Sequence, residues 1–259
     1  MSPAEQLGVQ EAVTRILHDA ALFDALRRGR FPDVARNLPL AEGVLDVIRG
    51  VDVAGLQHHL DTIQAKHLRH AMGVLPVSMA VAEECLGHDE LRHDFWARAP
   101  LGFAPATELR SCYLELGRRY LESLSTPPWL ADLARFEVVR AGSASVSPPG
   151  RPVRDRLLLS ADVTLCTFDW DVVTLFADRS AGRAPAEPRR RTLVAVRATG
   201  EWRSQVFRLG PATYELLQRC TQPARLDDLV AAAGGATADV RKIVAGAVAG
   251  KLLIAGGGA

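Results

Sequence analysis

The feature that most constrains this chain is a change of hydrophobic period at the segment SASVSPPGRP, residues 143–152. Before this segment the apolar residues recur at helical spacing, whereas after it β-prone stretches alternate. All seven histidines lie at or before His93, so the two halves also differ in composition. Proline, serine and glycine clusters are typical of linkers. The sequence therefore predicts an α+β protein with an N-terminal all-helical bundle over residues 1–142 and a small mixed β domain over residues 151–259.

Charge and composition exclude several classes of protein. The net charge is +1, which argues against a role in coating polyanions. No apolar run approaches the roughly 20 residues that span a bilayer, and the opening MSPAEQLGVQEAV lacks the pattern of a secretory signal. The four cysteines are widely spaced without a CxxC pair, which is typical of reduced thiols. We expect a cytoplasmic protein.

A charged pair lies within the apolar face of one predicted helix, TPPWLADLARFEVVRAG, which covers Thr126–Gly142. Thr126 suits the cap, Pro127 the first turn and Gly142 the end. At 100° per residue, Glu137 and Arg140 fall within the arc of apolar side chains that includes Trp129. Two interpretations follow. The pair has a structural role within the fold, or this face, with its edge at Asp132, binds a partner protein.

The second half has the element order of a winged-helix-like module. Strands are predicted over Leu157–Leu165 and over FDWDVVTLFAD, which begins at Phe168. A hairpin is predicted from Thr192–Ala198 and Trp202–Leu209, joined at Thr199-Gly200. Three helices follow over Pro211–Cys220, Leu226–Ala233 and Thr237–Gly250, and a terminal strand covers Leu252–Ala255.

Residues for catalysis by this chain alone are not evident. The sequence has no GxSxG motif and no glycine-rich phosphate loop. His67 and His70 are three residues apart, and Glu90 and His93 form one ExxH motif. Carboxylate-bridged iron bundles need that motif twice, so a helical-bundle iron enzyme is an alternative and not the main hypothesis.

The last predicted helix, TADVRKIVAGAVAGKL, bears on two further alternatives. Arg241 and Lys242 are followed only by small apolar residues, which suits base reading poorly; a winged-helix DNA-binding regulator therefore stays an alternative. Val244 and Val248 predict a shallow apolar groove beside the hairpin edge, where an extended peptide could add a strand. The same residues could also belong only to the module's own core.

One motif and the order of elements resemble a known family. The segment WLADLARFE, from Trp129 to Glu137, together with the helical half, the FDWDVVTLF strand, the hairpin and the winged-helix-like end, is similar to methanobactin-type maturation partners. Members of that family are partner subunits of multinuclear-iron oxygenases that modify ribosomally made peptides, and they are also often called DNA-binding proteins. The resemblance covers most of the chain from about Leu68 onward.

The resemblance implies a non-catalytic subunit with no cofactor of its own. Such a subunit would bind a TIM-barrel iron oxygenase, whose iron lies in that partner, and would recruit a cysteine-containing precursor peptide for modification. For peptide binding we expect edge-strand positions and groove positions: Val194, Val196 and Val206 for the former, and Arg241, Val244 and Val248 for the latter. For partner binding we expect Trp129, Asp132, Glu137 and Arg140.

Overall fold

The computed structural model describes residues 3–38, 42–99, 108–142, 155–184, 190–200 and 203–256. Nine helices precede the first strand in the described part of the chain, and small antiparallel sheets with helices follow, so the predicted α+β class is confirmed. The first nine helices are α1 (Pro3–His18), α2 (Ala20–Arg27), α3 (Phe31–Asn37), α4 (Glu42–Arg49), α5 (Val53–Val74), α6 (Pro76–Leu86), α7 (His88–Arg98), α8 (Leu109–Ser123) and α9 (Leu130–Gly142). Then come β1 (Leu157–Leu159), β2 (Val163–Phe168), α10 (Val172–Ser180), β3 (Thr192–Gly200), β4 (Arg203–Leu209), α11 (Pro211–Arg219), α12 (Leu226–Ala232), α13 (Thr237–Ala249) and β5 (Leu253–Ala255).

The chain forms two compact units. The first contains residues 1–73 and 82–109, and the second contains residues 74–81 and 110–259. In the first unit Ile16, Leu26 and Ile48 are fully buried, and the indole Nε1 of Trp96 donates a hydrogen bond to the carbonyl oxygen of Leu17 at 3.3 Å. The segment 143–154 lies outside the described residues, so the predicted boundary there stays a prediction.

The core of the second unit lies on both faces of an antiparallel sheet with strand order β2-β3-β4. Val194 and Val196 of β3 face a cluster that includes Phe136 of α9 and Val172 of α10. Ala195 faces the opposite cluster, which α11, α12 and α13 complete. A second, two-stranded sheet pairs β1 with β5, so the terminal strand lies apart from the hairpin.

The prediction of a strand over FDWDVVTLFAD is wrong, because β2 ends at Phe168 and α10 begins at Val172. The cause is the carboxylate of Asp171, which accepts from the backbone N–H of Thr174 at 3.1 Å and from its hydroxyl at 3.0 Å. A side chain that satisfies a free N–H of the first turn favours helix. The buried Val172 and Leu175 then lie three apart on one helical face.

The predicted start at Thr126 is also wrong, because α9 begins at Leu130. Pro127 precedes Pro128, and a residue before proline is disfavoured in helical conformation. The end at Gly142 is confirmed. The predicted hairpin and the three helices that follow it are present as β3, β4, α11, α12 and α13, while residues 201–202, which include the predicted strand start at Trp202, lie outside the described part.

Across the described residues, none of the helices has the length and hydropathy needed to cross a membrane.

Candidate functional site

A groove of about 620 Å³ lies between strand β4 and helix α13 in the second unit. Its walls are mainly apolar: Phe207 and Leu209 from β4, and Ile243 and Ala247 from α13, with Leu252 beyond the helix. These residues also pack against the core cluster on this face of the sheet. The groove is therefore an extension of the hydrophobic core that opens to the surface.

Strand β4 and helix α13 run in opposite directions along the groove. At one end, Nη1 of Arg197 donates to the carbonyl oxygen of Gly250 at 2.7 Å, and Arg197 is the register partner of Gln205. At the other end, Asp239 lines the groove together with Ala212, which follows β4 in the chain. From Asp239 to Gly250 a helix rises roughly 16 Å. An extended peptide of about five residues covers that length.

The β4 side of the groove carries an open hydrogen-bonding edge. Strand β4 pairs with β3 on one side, and among the described residues no strand pairs with its outer edge. An unpaired edge presents a row of N–H and C=O groups that another extended chain can pair with. The groove thus combines a backbone template with space for side chains.

The helix floor of the groove is made of small residues. Gly246 and Gly250 lie four residues apart on α13 and its C-terminal cap, and both line the groove beside Ala247. A Cβ atom built on Gly246 would meet no atom within 4 Å. This floor therefore leaves room for a large side chain of a bound peptide.

Two opposite charges lie at one end of the groove. Asp239 and Lys242 lie one turn apart on α13 and line it together, and within the described part of the chain neither has an ion-pair partner within 4.0 Å. Arg208 also lines the groove, but its guanidinium pairs with Asp171 at 2.8 Å. Asp239 and Lys242 are therefore the charges available to a ligand.

The prediction that Val194 and Val196 lie on an edge strand is wrong. Both belong to β3, which is hydrogen-bonded to β2 and to β4, and both are fully buried. Val206 does lie on the edge strand β4, but its side chain packs on the opposite face of the sheet from the groove. The Val206 side chain therefore does not line the groove, although its backbone lies on the edge with which a peptide could pair.

The groove residues predicted on the last helix lie on a different face from the groove. The groove is lined by residues at positions 239, 242, 243, 246, 247 and 250, and Arg241, Val244 and Val248 are not among them. At 100° per residue the two sets point in widely different directions. Arg241 is exposed and Val248 is 36% exposed, so this second face has an apolar residue at the surface.

Of the residues predicted to bind a partner protein, Trp129 and Glu137 are buried within the second unit. The carboxylate of Glu137 accepts from the backbone N–H groups of Val77 at 3.0 Å and Ser78 at 2.9 Å, in the first turn of α6. Burial raises the pKa of Glu137, while these donors and Arg140 oppose the rise. Glu137 therefore has the structural role that was one of the two interpretations of the charged pair: it binds the first turn of α6 within this unit.

Asp132 and Arg140 also make contacts inside the unit. Oδ2 of Asp132 accepts from the backbone N–H of Asp169 at 2.7 Å and of Trp170 at 3.3 Å, and so holds the turn between β2 and α10. The guanidinium of Arg140 lies 4.0 Å from the ring centroid of Phe176. Through Asp132 and Glu137, the segment WLADLARFE at the start of α9 thus hydrogen-bonds to the β2–α10 turn and to the first turn of α6.

The histidines that suggested the alternative of a helical-bundle iron enzyme make other contacts. Nε2 of His67 lies 2.9 Å from the carbonyl oxygen of Ala99 in a buried site, and Nδ1 of His88 lies 2.7 Å from the carboxylate of Glu83. Within the described residues no group of three or more His, Cys, Asp or Glu side chains could hold a metal ion.

Comparison with known proteins gives no match, either to a family model or to a curated protein.

Proposed function

We propose that this chain is a non-catalytic subunit that recruits a ribosomally made precursor peptide to an iron-dependent TIM-barrel oxygenase, which modifies a cysteine of that peptide. The observation that carries the recruiting role is the open edge of β4 beside the apolar groove of α13. The part of the proposal that concerns the oxygenase and its iron is based on the resemblance of WLADLARFE and of the element order to partner subunits of such enzymes.

In this proposal the peptide adds a fourth strand to the sheet, outside β4. Its backbone pairs with the free edge, and alternate side chains enter the groove between Phe207 and Gly246. Burial of one large apolar side chain contributes about 1.5–3 kcal/mol, and strand pairing fixes the direction of the chain. The hairpin β3–β4 and the helices α11 to α13 have the element order from which a winged-helix-like module was predicted, whereas the terminal strand β5 pairs with β1.

The composition of the groove face of α13 weighs against base reading by that face. The groove face of α13 carries one acidic and one basic residue, Asp239 and Lys242, above glycines. Base readers present Arg, Lys, Asn or Gln to the edges of bases. An apolar groove beside a free strand edge is suited to an extended peptide.

Co-purification tests the proposal. The chain is expressed with the open reading frames next to its gene and isolated by an affinity tag, and the retained proteins, peptides and iron are quantified. We expect a barrel protein that carries the iron and a short cysteine-containing peptide. Retention of the peptide is expected to fall, and retention of the barrel protein to stay unchanged, when the outer edge of β4 is blocked by a proline at Val206, whose backbone N–H points away from β3.

Other outcomes would overturn the proposal. Stoichiometric iron on the chain when it is expressed alone would favour the bundle enzyme. Binding to generic duplex DNA with an affinity that falls steeply with salt would favour the regulator. Retention of the peptide that is unchanged by the Val206→Pro substitution would exclude the β4 edge as its site.

A further inference from the structure

A second cleft, of about 320 Å³, continues the groove beyond the start of α13. It lies between α11, α12 and α13, and it shares Ala212, Asp239 and Ile243 with the groove. A peptide that leaves the groove at its Leu209 end therefore meets this cleft next. The continuity follows from the opposite directions of β4 and α13, which place Asp239 at that end.

The cleft has apolar walls and a charged rim. Leu216, Leu229 and Val240 form the inner wall. The rim carries two carboxylates, Glu215 and Asp239, and one guanidinium, that of Arg219.

The rim has spare negative charge. Arg219 reaches Glu215 only at 3.9 Å, and the Glu215 side chain is 71% exposed, while Asp239 lacks an ion-pair partner among the described residues. Among the described residues Asp239 is thus left without an ion-pair partner within 4.0 Å, and Lys242, one turn further on α13, lines the groove and not the cleft.

We propose that the recruited peptide carries a lysine or arginine just outside its β4-paired segment, and that this side chain enters the cleft. Its aliphatic stem lies against the apolar wall, and its charged end binds Asp239 and Glu215. The proposal rests on the proposed function, because it places a second contact of the same peptide. It defines the substrate more narrowly, as an extended apolar segment flanked on one side by a basic residue.

Selection from a peptide library tests this inference without knowledge of the natural precursor. Random peptides of about twelve residues, displayed on phage, are selected on the full chain, a length that covers the groove and leaves residues for the cleft. We expect enrichment of a basic residue at a fixed spacing from a large apolar residue. The affinity of one selected peptide is then measured for the wild type and for Asp239→Lys, with Asp228→Lys as control. Asp228 is exposed on α12 and lines neither cavity.

We expect Asp239→Lys to weaken binding at least tenfold and Asp228→Lys to leave it unchanged. Replacement of the basic peptide residue by glutamate should restore binding to the Asp239→Lys variant. If Asp239→Lys acted only by destabilising the start of α13 through the helix dipole, this charge reversal in the peptide would not restore binding. Binders without a basic residue, or equal effects of the two substitutions, would overturn this inference and leave the groove intact. Should no library peptide bind, or should binding be insensitive to filling the groove at Gly246, the proposed function itself fails.

Discussion

Replacement of Gly246 by leucine separates the function of the groove from its contribution to stability. Gly246 lies in the interior of α13, and a Cβ atom there meets no atom within 4 Å. Its φ is not in the left-handed region, so a side chain introduces no backbone strain. The new leucine projects into the space that we assign to a peptide side chain.

The two effects of Gly246→Leu have opposite signs. Leucine is a better helix former than glycine by about 0.7 kcal/mol, which for a chain of this length raises Tm by about 2 °C. A groove filled by leucine cannot bury the apolar anchor of the peptide, a contribution of about 1.5–3 kcal/mol. At 1.4 kcal/mol per tenfold change, binding weakens by about 10- to 100-fold.

Thermal unfolding and titration of a fluorescently labelled peptide measure the two effects. The peptide is the co-purified precursor or a binder selected from the library. Ala245→Leu is the matched control, because Ala245 is the neighbouring exposed residue of α13 and does not line the groove. A Gly246→Leu variant that is folded and binds the peptide as tightly as Ala245→Leu would refute the assignment of the groove.

Three further predictions concern the residues that hold the second unit together. Replacement of Asp132 by alanine should lower the free energy of unfolding in urea by about 1–3 kcal/mol, because two backbone N–H groups of the β2–α10 turn lose their acceptor; an unchanged midpoint would contradict this. Since burial raises the pKa of Glu137 above 4.5, the folded chain holds that proton more tightly, and the stability of the wild type relative to Glu137→Gln should fall as pH rises from 4.5 through the folded pKa. A pH-independent difference would show that Glu137 titrates alike in both states. Burial also raises the pKa of Cys220 to about 11, which leaves roughly one thiolate in a thousand at pH 8, so iodoacetamide should label the exposed Cys85 first and Cys220 only on unfolding.

The hairpin and the three helices after it could be predicted from sequence, but the division of Leu157–Leu165 between β1 and β2 and the helix after Phe168 could not. Its residues alternate as a strand and also repeat at three and four as a helix, so the period alone does not decide. Asp171 determines that this segment is a helix, since it caps α10 and pairs with Arg208 of β4. That second contact joins residues far apart in the chain, which a local pattern does not report.

The existence of a groove beside the hairpin could be predicted, but its lining could not. The prediction placed the groove at Val244 and Val248 because these residues are apolar, whereas the groove lies over Gly246 and Gly250. Glycine in a helix interior costs stability, and Gly246 within the helix, with Gly250 four residues later at its C-terminal cap, was the available signal of an open face. Likewise, the central position of Val194 and Val196 depends on the strand order, because only the pairing of β2 with the far side of β3 makes that strand central.

The pairing of β1 with β5 has a consequence for how the second unit is made. Leu157 pairs with Ala255, so the β1–β5 sheet cannot form until almost the last described residue has been synthesised. Contacts between residues distant in sequence are slow to form, because the loop between them must close first. During synthesis the hairpin and the helices α11 to α13 can assemble, and Leu157 and Leu159 can already hydrogen-bond to Ala224 and Cys220. The edge of β1 that pairs with β5 stays open until the ribosome has released residues 253–255.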